Sequence, residues 1–292
     1  KRRKLMQISL KHYFPLFKFR ICSLITFSAV VGLIATSSDS VSISNVVFLI
    51  IATMMASASA SVFNHYFDMD IDAVMKRTQK RPIPSGSIDN SRKPLFVAAI
   101  LFIAAIFVSF NALNYMVSLH LFLGALVYAV VYTVWLKRKS WLNIIIGGLA
   151  GSFAVLAGGA SATPEFCMTP VLLAVTMFFW TPSHFWSFAI VHREEYAKAG
   201  IPMLPVVIGD SKTARYILLN TILLVISSLL PSYFGYLGIF YTVTAIGLGA
   251  FFIIRNIQLL SNTSKEIAWK NFKASMVYLG VLFLAVIIDV II

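Results

Sequence analysis

Residues 45–81 read NVVFLIIATMMASASASVFNHYFDMDIDAVMKRTQKR: an apolar run, then Asp68, Asp70 and Asp72, then Lys76, Arg77, Lys80 and Arg81. The apolar part matches the roughly 17–25 residues an α-helix needs to cross a hydrocarbon core of about 30 Å. The charges that follow should therefore stand at one membrane face. A membrane barrel would instead alternate polar and apolar residues along each strand, and that alternation is absent. The expected fold class is all-α, a polytopic membrane protein.

The rest of the chain extends this pattern. Of its 292 residues 59% are hydrophobic and 12% charged, too little polar surface to cover a soluble globule. Nine spans are expected, over 21–37, 45–66, 94–111, 115–136, 142–161, 169–191, 215–231, 234–254 and 273–291, in a single domain of residues 1–292. All 24 Lys and Arg fall within 1–20, 68–93, 137–139, 192–215 and 255–273, and the alternate connections hold none. By the positive-inside rule the N-terminus and the basic loops are cytoplasmic, and the C-terminus lies opposite. The basic N-terminal segment followed by an apolar run mimics a signal peptide. The run is long and has no clear small-residue cleavage site, so it is read as the first span. The net charge of +13 invites a nucleic-acid reading, but cations spread over short loops beside apolar helices suit a lipid bilayer with anionic headgroups, and no nucleic acid is expected as a partner. Cys22 and Cys167 fall toward opposite faces with no metal-ligand spacing and are read as packing residues.

The first charged loop carries the chemistry. Asn64, Asp68 and Asp72 are spaced i, i+4, i+8, so a helix continuing through them stacks their side chains on one face, while Asp70 points elsewhere. Like charges one turn apart repel unless a cation lies between them. Magnesium suits the place because it takes oxygen ligands and joins one or two carboxylates to substrate phosphates. Asp68 and Asp72 are the expected ligands, with Asn64 as a further ligand or a diphosphate contact. Arg77 and Arg81, with Lys137, Arg193 and Lys198 from later loops, are candidates to hold diphosphate oxygens. Lys76, Lys80 and Arg138 are assigned to headgroups. The plainer reading is a solvated acidic turn beside a basic membrane-flanking cluster.

The second rich loop, from Trp180 to Pro205, follows the sixth span as the first follows the second. Placing His192 against Asp68 puts Tyr196 against Asp72, an internal repeat whose second copy lacks the aspartates. Glu194 and Glu195 lie close by as auxiliary metal ligands.

Asn64-x-x-x-Asp68-x-x-x-Asp72 with Lys76-Arg77-Thr78-x-x-Arg81-Pro82-x-Pro84-Ser85-Gly86 resembles the first signature of the UbiA-type intramembrane prenyltransferases. Thr181-Pro-x-His184-Phe-Trp186 and His192-Arg-x-Glu195-Tyr196-x-x-Ala199-Gly200-Ile-Pro202-Met-Leu-Pro205 resemble the haem O synthases (protohaem IX farnesyltransferases) within that superfamily. Tyr132-Thr133, Leu136-Lys137-Arg138, Asn143 and Gly147 add a weaker match. The resemblance implies transfer of the farnesyl group of farnesyl diphosphate to a vinyl group of haem b, with Mg2+, in a bacterial inner (plasma) membrane, or a mitochondrial inner membrane if eukaryotic, with the site on the cytoplasmic or matrix side. Superfamily members usually carry a second aspartate pair where this chain has His192 and Tyr196.

For the acceptor, His184, His65, His192 and Tyr196 are haem-binding candidates, each histidine also readable as a hydrogen-bonded interfacial one. His120 is read as structural and His12 as solvated. Gly147, Gly148 and Gly151 have the small-residue spacing of close helix packing. Asp289 has no assignment. Two alternatives stand beside this reading: a related prenyltransferase acting on a quinone precursor or other aromatic ring, and a non-catalytic transporter or lipid-binding protein, which helices broken at mid-membrane would favour. The sequence leaves the oligomeric state and any downstream oxidase partner unassigned.

Overall fold

The computed structural model describes residues 13–37, 41–89 and 91–292. The expectations for the cations of 1–11 and for His12 lie outside the described residues. Within them no strand occurs, and nine long helices form: α1 (Phe19–Thr36), α2 (Ile43–Phe67), α3 (Lys93–Ala112), α4 (Tyr115–Leu136), α5 (Asn143–Ala162), α6 (Met168–Val191), α7 (Asp210–Tyr233), α8 (Ile239–Ser261) and α9 (Lys265–Ile291). A helix is the form that satisfies every backbone N–H and C=O inside its own segment, which hydrocarbon demands. Among the described residues, eight helices are long and apolar enough to cross a membrane, the first counted from Phe14. The exception is α6, whose Thr181, Ser183, His184 and Ser187 dilute its hydropathy. All four are buried among neighbouring helices rather than turned to lipid.

Several helices run past the expected spans. α7 begins at Asp210 and α9 at Lys265, so Lys212, Arg215, Lys270 and Lys273 stand on helices rather than in loops. Hydropathy marks where the hydrocarbon ends, whereas a helix can continue into the headgroup layer with its long cationic side chains reaching water. The expected 234–254 span is displaced to Ile239–Ser261. Gly235 turns the chain at φ +77°, a conformation open to glycine, and the carboxylate of Asp289 on α9 accepts from the backbone N–H groups of Gly238 and Tyr241 (3.0 Å for the latter). That carboxylate serves as the cap that fixes where α8 starts, which supplies Asp289 with a role.

α1 packs against α2, α5, α6 and α9, and α5 packs in turn on α4 and α6. The α1–α5 crossing is backbone on backbone: a Cβ on Gly32 would strike the carbonyl of Val155, and one on Gly158 the carbonyl of Ala29. The glycines singled out in the sequence pack less tightly. Gly147 lies under the Tyr132 ring, Gly148 against Thr181 and Gly151 against Met177. α4 changes winding midway, and from Val127 to Leu136 it is a π-helix, a form that recurs at functional sites.

α2 and α6 end alike. Each breaks at a single residue, Asp68 (φ −94°, ψ 3°) or His192 (φ −107°, ψ 19°), and resumes as a six-residue helix, Met69–Val74 or Arg193–Lys198. The breaks are 124 residues apart, the difference between 192 and 68. The break thus recurs at the spacing at which the sequence sets His192 against Asp68.

Candidate active site

The break at Asp68 decides the geometry. Asp72 N–H donates to the Asp68 carbonyl (2.7 Å) and Asp68 N–H to that of Asn64 (2.9 Å), so the i, i+4, i+8 stack continues through the kink. Asn64, Asp68 and Asp72 are all buried, at 4%, 1% and 3% exposure. A buried carboxylate needs compensating charge, and each finds a different source. Asp72 receives Arg81 through both oxygens, at 2.9 and 2.7 Å. Asp68 Oδ2 is paired with Lys137 Nζ and accepts from Asn64 Nδ2 at 2.7 Å. Asn64 Nδ2 also donates to Thr133 Oγ1 (3.1 Å), and its Oδ1 accepts from Lys18 Nζ (2.9 Å). Lys18 was not among the residues expected from the sequence. It is the last residue before α1, held at φ 47°.

The π-helix brings Thr133 and Lys137 to this cluster. Lys137 N–H donates to the carbonyl of Tyr132, five residues back. The wider turn stacks Tyr128 on Tyr132, with centroids 5.6 Å apart, and Lys137 Nζ lies 5.8 Å from the Tyr132 ring. An aromatic wall therefore adjoins the carboxylates.

Asp70 points away. Its side chain is 62% exposed and is gripped by Arg138, with both guanidinium nitrogens at 2.7 Å; the same arginine donates to the Phe67 carbonyl at 2.6 Å, covering the end of α2. The Arg138 hydrogen bonds hold the Asp70 carboxyl below its ordinary pKa. Arg138, assigned to headgroups in the sequence, is committed to this bond instead.

The second loop meets the first through Arg77. Its backbone N–H donates to Glu195 Oε2 (3.3 Å), and its guanidinium lies over the Phe188 ring at 5.2 Å. His192 Nδ1 is 3.5 Å from Glu195 Oε1, and burial, with Arg77 nearby, pushes the His192 pKa down. Tyr196 is buried, which pushes its phenol up against the opposing pull of Arg77, Lys137 and Arg81. Other candidates lie outside the cluster. Arg193 pairs with Asp210 at 3.2 Å, and Glu194, 66% exposed, pairs with Lys265 at 2.8 Å. Lys198 lines a neighbouring cleft of about 370 Å³ with Asp70 and Arg138.

The histidines differ. His184 is stacked 4.3 Å from Trp180 and 4.5 Å from Phe272, and its Nδ1 is 2.7 Å from Ser275 Oγ. His65 is 2% exposed, and neither ring nitrogen has a partner among the described residues. His120 is bonded to the Met116 carbonyl (2.8 Å) within α4, a structural contact.

The donor set fits a hard divalent cation. Asp68 Oδ1 is buried with no hydrogen-bond partner among the described residues, one helical turn from a second carboxylate. Among the described residues no group of three or more His, Cys, Asp or Glu side chains gathers, so the protein offers part of a coordination shell. That is how magnesium is held when phosphates and water supply the rest.

A model of the UbiA prenyltransferase family matches residues 25–286. Protoheme IX farnesyltransferase 1 of Paramagnetospirillum magneticum is 45% identical over 284 residues, covering 97% of this chain and 99% of that one. A solved structure concerning digeranylgeranylglyceryl phosphate synthase in membranes superposes with TM-score 0.81 at 24% identity, over 97% of this chain and 98% of that one. A UbiA homolog from Archaeoglobus fulgidus bound to DMAPP and Mg2+ gives TM-score 0.72 at 18% identity, over 94% and 98%.

Proposed function

From the premise that the chain belongs to the UbiA prenyltransferase family, we propose that it transfers the farnesyl group of farnesyl diphosphate to a vinyl group of haem b, giving haem O and diphosphate. The relative named protoheme IX farnesyltransferase supports the acceptor and the donor, being 45% identical over nearly the whole of both chains. The observation that carries the reading is the pair of buried carboxylates, Asp68 and Asp72, each held by a cation at the charged end of an apolar bundle.

Asp68, Asp72 and, beside them, Asn64 would hold Mg2+. When bound, the ion supplies positive charge against the leaving diphosphate and so favours ionisation of the allylic ester. Arg81, Lys137 and Lys18 now pair with the carboxylates and the Asn64 carbonyl. As a diphosphate arrives they can turn to its oxygens, and the buried charge stays compensated throughout. The Arg77 guanidinium, which rests over the Phe188 ring and pairs with no carboxylate among the described residues, can do the same. In the transfer the allylic C–O bond breaks and its electron pair leaves with diphosphate. The terminal vinyl carbon bonds farnesyl C1, water adds at the carbon next to the porphyrin, and its proton is released. Tyr128 and Tyr132 present aromatic faces beside the reacting end, where they would shelter the allylic cation. His184, fixed through Ser275, and His65, with both ring nitrogens unpartnered, are the groups offered to haem. The nine helices act as one catalytic domain, with the basic loops and the site on the cytoplasmic or matrix side of a bacterial or mitochondrial inner membrane.

The deciding experiment is mass spectrometry of haem extracted after incubation with farnesyl diphosphate and magnesium. A hydroxyethylfarnesyl haem is expected. Unchanged haem together with prenylation of a quinone-precursor ring would replace the acceptor and keep the donor chemistry.

A further inference from the structure

Apart from the carboxylate cluster, a cleft of about 360 Å³ opens between the end of α8 and the start of α9, lined by Arg255, Ile257, Gln258, Ser261, Ile267, Lys270 and Asn271. Its size falls among those of small-molecule sites, which run from roughly 300 to 1,000 Å³. Two features set it apart from an ordinary basic membrane flank. Arg255 has no carboxylate partner among the described residues: it donates to Gln258 Oε1 at 3.2 Å and rests over the Phe251 ring at 5.5 Å. Lys270 has only the exposed Glu266. At the inner end lies Asn271, 1% exposed. Its Nδ2 donates to Ser187 Oγ of α6 (2.9 Å) and to Asn256 Oδ1 (3.4 Å), while its Oδ1 is buried without a partner among the described residues.

A half-open cationic cleft with an orphaned acceptor at its base calls for a ligand that is both an anion and a hydrogen-bond donor. The cleft borders apolar surface: Ile257 in its lining is 49% exposed, and Ile254 on the same helix is 55% exposed. We infer that this cleft binds one anionic glycerophospholipid. The phosphodiester sits between Arg255 and Lys270, a headgroup hydroxyl donates to Asn271 Oδ1, and the acyl chains lie along Ile254 and Ile257. Free phosphate would leave the isoleucine surface unserved. Through Ser187 the bound lipid buttresses α6 three residues after His184, which gives it a mechanical link to the second loop.

The test uses the full chain in mild detergent, with phosphatidylglycerol as the probe and native mass spectrometry as the readout. One phosphatidylglycerol should stay bound where phosphatidylcholine does not. The double variant Arg255→Gln/Lys270→Gln should bind it about a hundredfold more weakly, roughly tenfold for each lost charge-assisted contact. Lys76→Gln/Lys80→Gln, which removes two cations from the same face outside the cleft, should leave binding unchanged. Lys270→Gln alone alters an exposed side chain, so it separates weakened binding from misfolding and should give an intermediate loss. Phosphatidic acid, which lacks the headgroup alcohol, should bind less well. Equal binding by wild type and the cleft variants, equal loss in the Lys76/Lys80 control, equal binding of phosphatidic acid, or displacement by millimolar inorganic phosphate would each overturn the assignment. None of these readouts depends on prenyl transfer.

Discussion

Asp68, Asp70 and Asp72 are the same residue type within one short stretch, and their surroundings divide them. Asp68 and Asp72 are buried and held by Lys137 and Arg81, whereas Asp70 is exposed and bound to Arg138. Asp68→Asn and Asp72→Asn are therefore expected to cut turnover by orders of magnitude in protein that still inserts and purifies. Asp70→Asn should be mild, because its pair is a solvent-exposed one. Comparable losses at all three positions would show a flexible acidic loop rather than an oriented pair. In the second loop, Glu195→Gln should weaken the bridge to Arg77 and raise the KM for farnesyl diphosphate with little change in magnesium dependence; a large magnesium shift would instead mark Glu195 as a ligand. The Asn64, Asp68 and Asp72 stack was legible in the sequence because helical periodicity is local and survives the one-residue break. Lys18 and the contact of Thr133 with Asn64 were not, because they reach Asn64 across 46 and 69 residues of chain, where no spacing rule operates.

Among the elements, the α1–α5 crossing depends on glycine in a way hydropathy does not register. The methyl group of Gly158→Ala would meet the Ala29 backbone carbonyl, which cannot swing aside as a side chain can. Its cost should reach the upper part of the roughly 1–3 kcal/mol typical of overpacking, measured as loss of stability to heat or denaturing detergent. Gly151→Ala, opposed by the flexible Met177 side chain at 3.3 Å, should cost much less. Asp289→Ala removes the acceptor at the start of α8 and should destabilise by about 0.5–2 kcal/mol, the usual worth of such a cap. The all-α class and the order of the apolar helices were readable from the apolar runs; nine spans were expected, and among the described residues eight helices are long and apolar enough to cross a membrane. The helix ends were not readable, since a cap such as Asp289 lies at the far end of the following helix, 48 to 51 residues along the chain. The π-helix in α4 was equally hidden. The sequence Val127–Leu136 looks like any apolar run, yet its winding carries Thr133 and Lys137 to the carboxylates.

For the whole molecule, the orientation in the bilayer can be tested with cysteines in a background lacking Cys167. A cysteine at Ser85, in the exposed part of the first charged loop, should react with an impermeant thiol reagent only from the cytoplasmic side. One at Glu165, in the exposed connection between α5 and α6, should react only from the other. Reaction of both from one side would rule out the positive-inside assignment. The repeated break at Asp68 and His192 bears on the same question. The backbone of Arg77 touches Glu195, so the two loops share a face, and the chain crosses the bilayer an even number of times between them. The count of crossings in that interval can change only in steps of two. Gaining or losing a single helix there would strand the aspartates on one side of the membrane and Glu195 on the other, leaving two intact halves that can never meet.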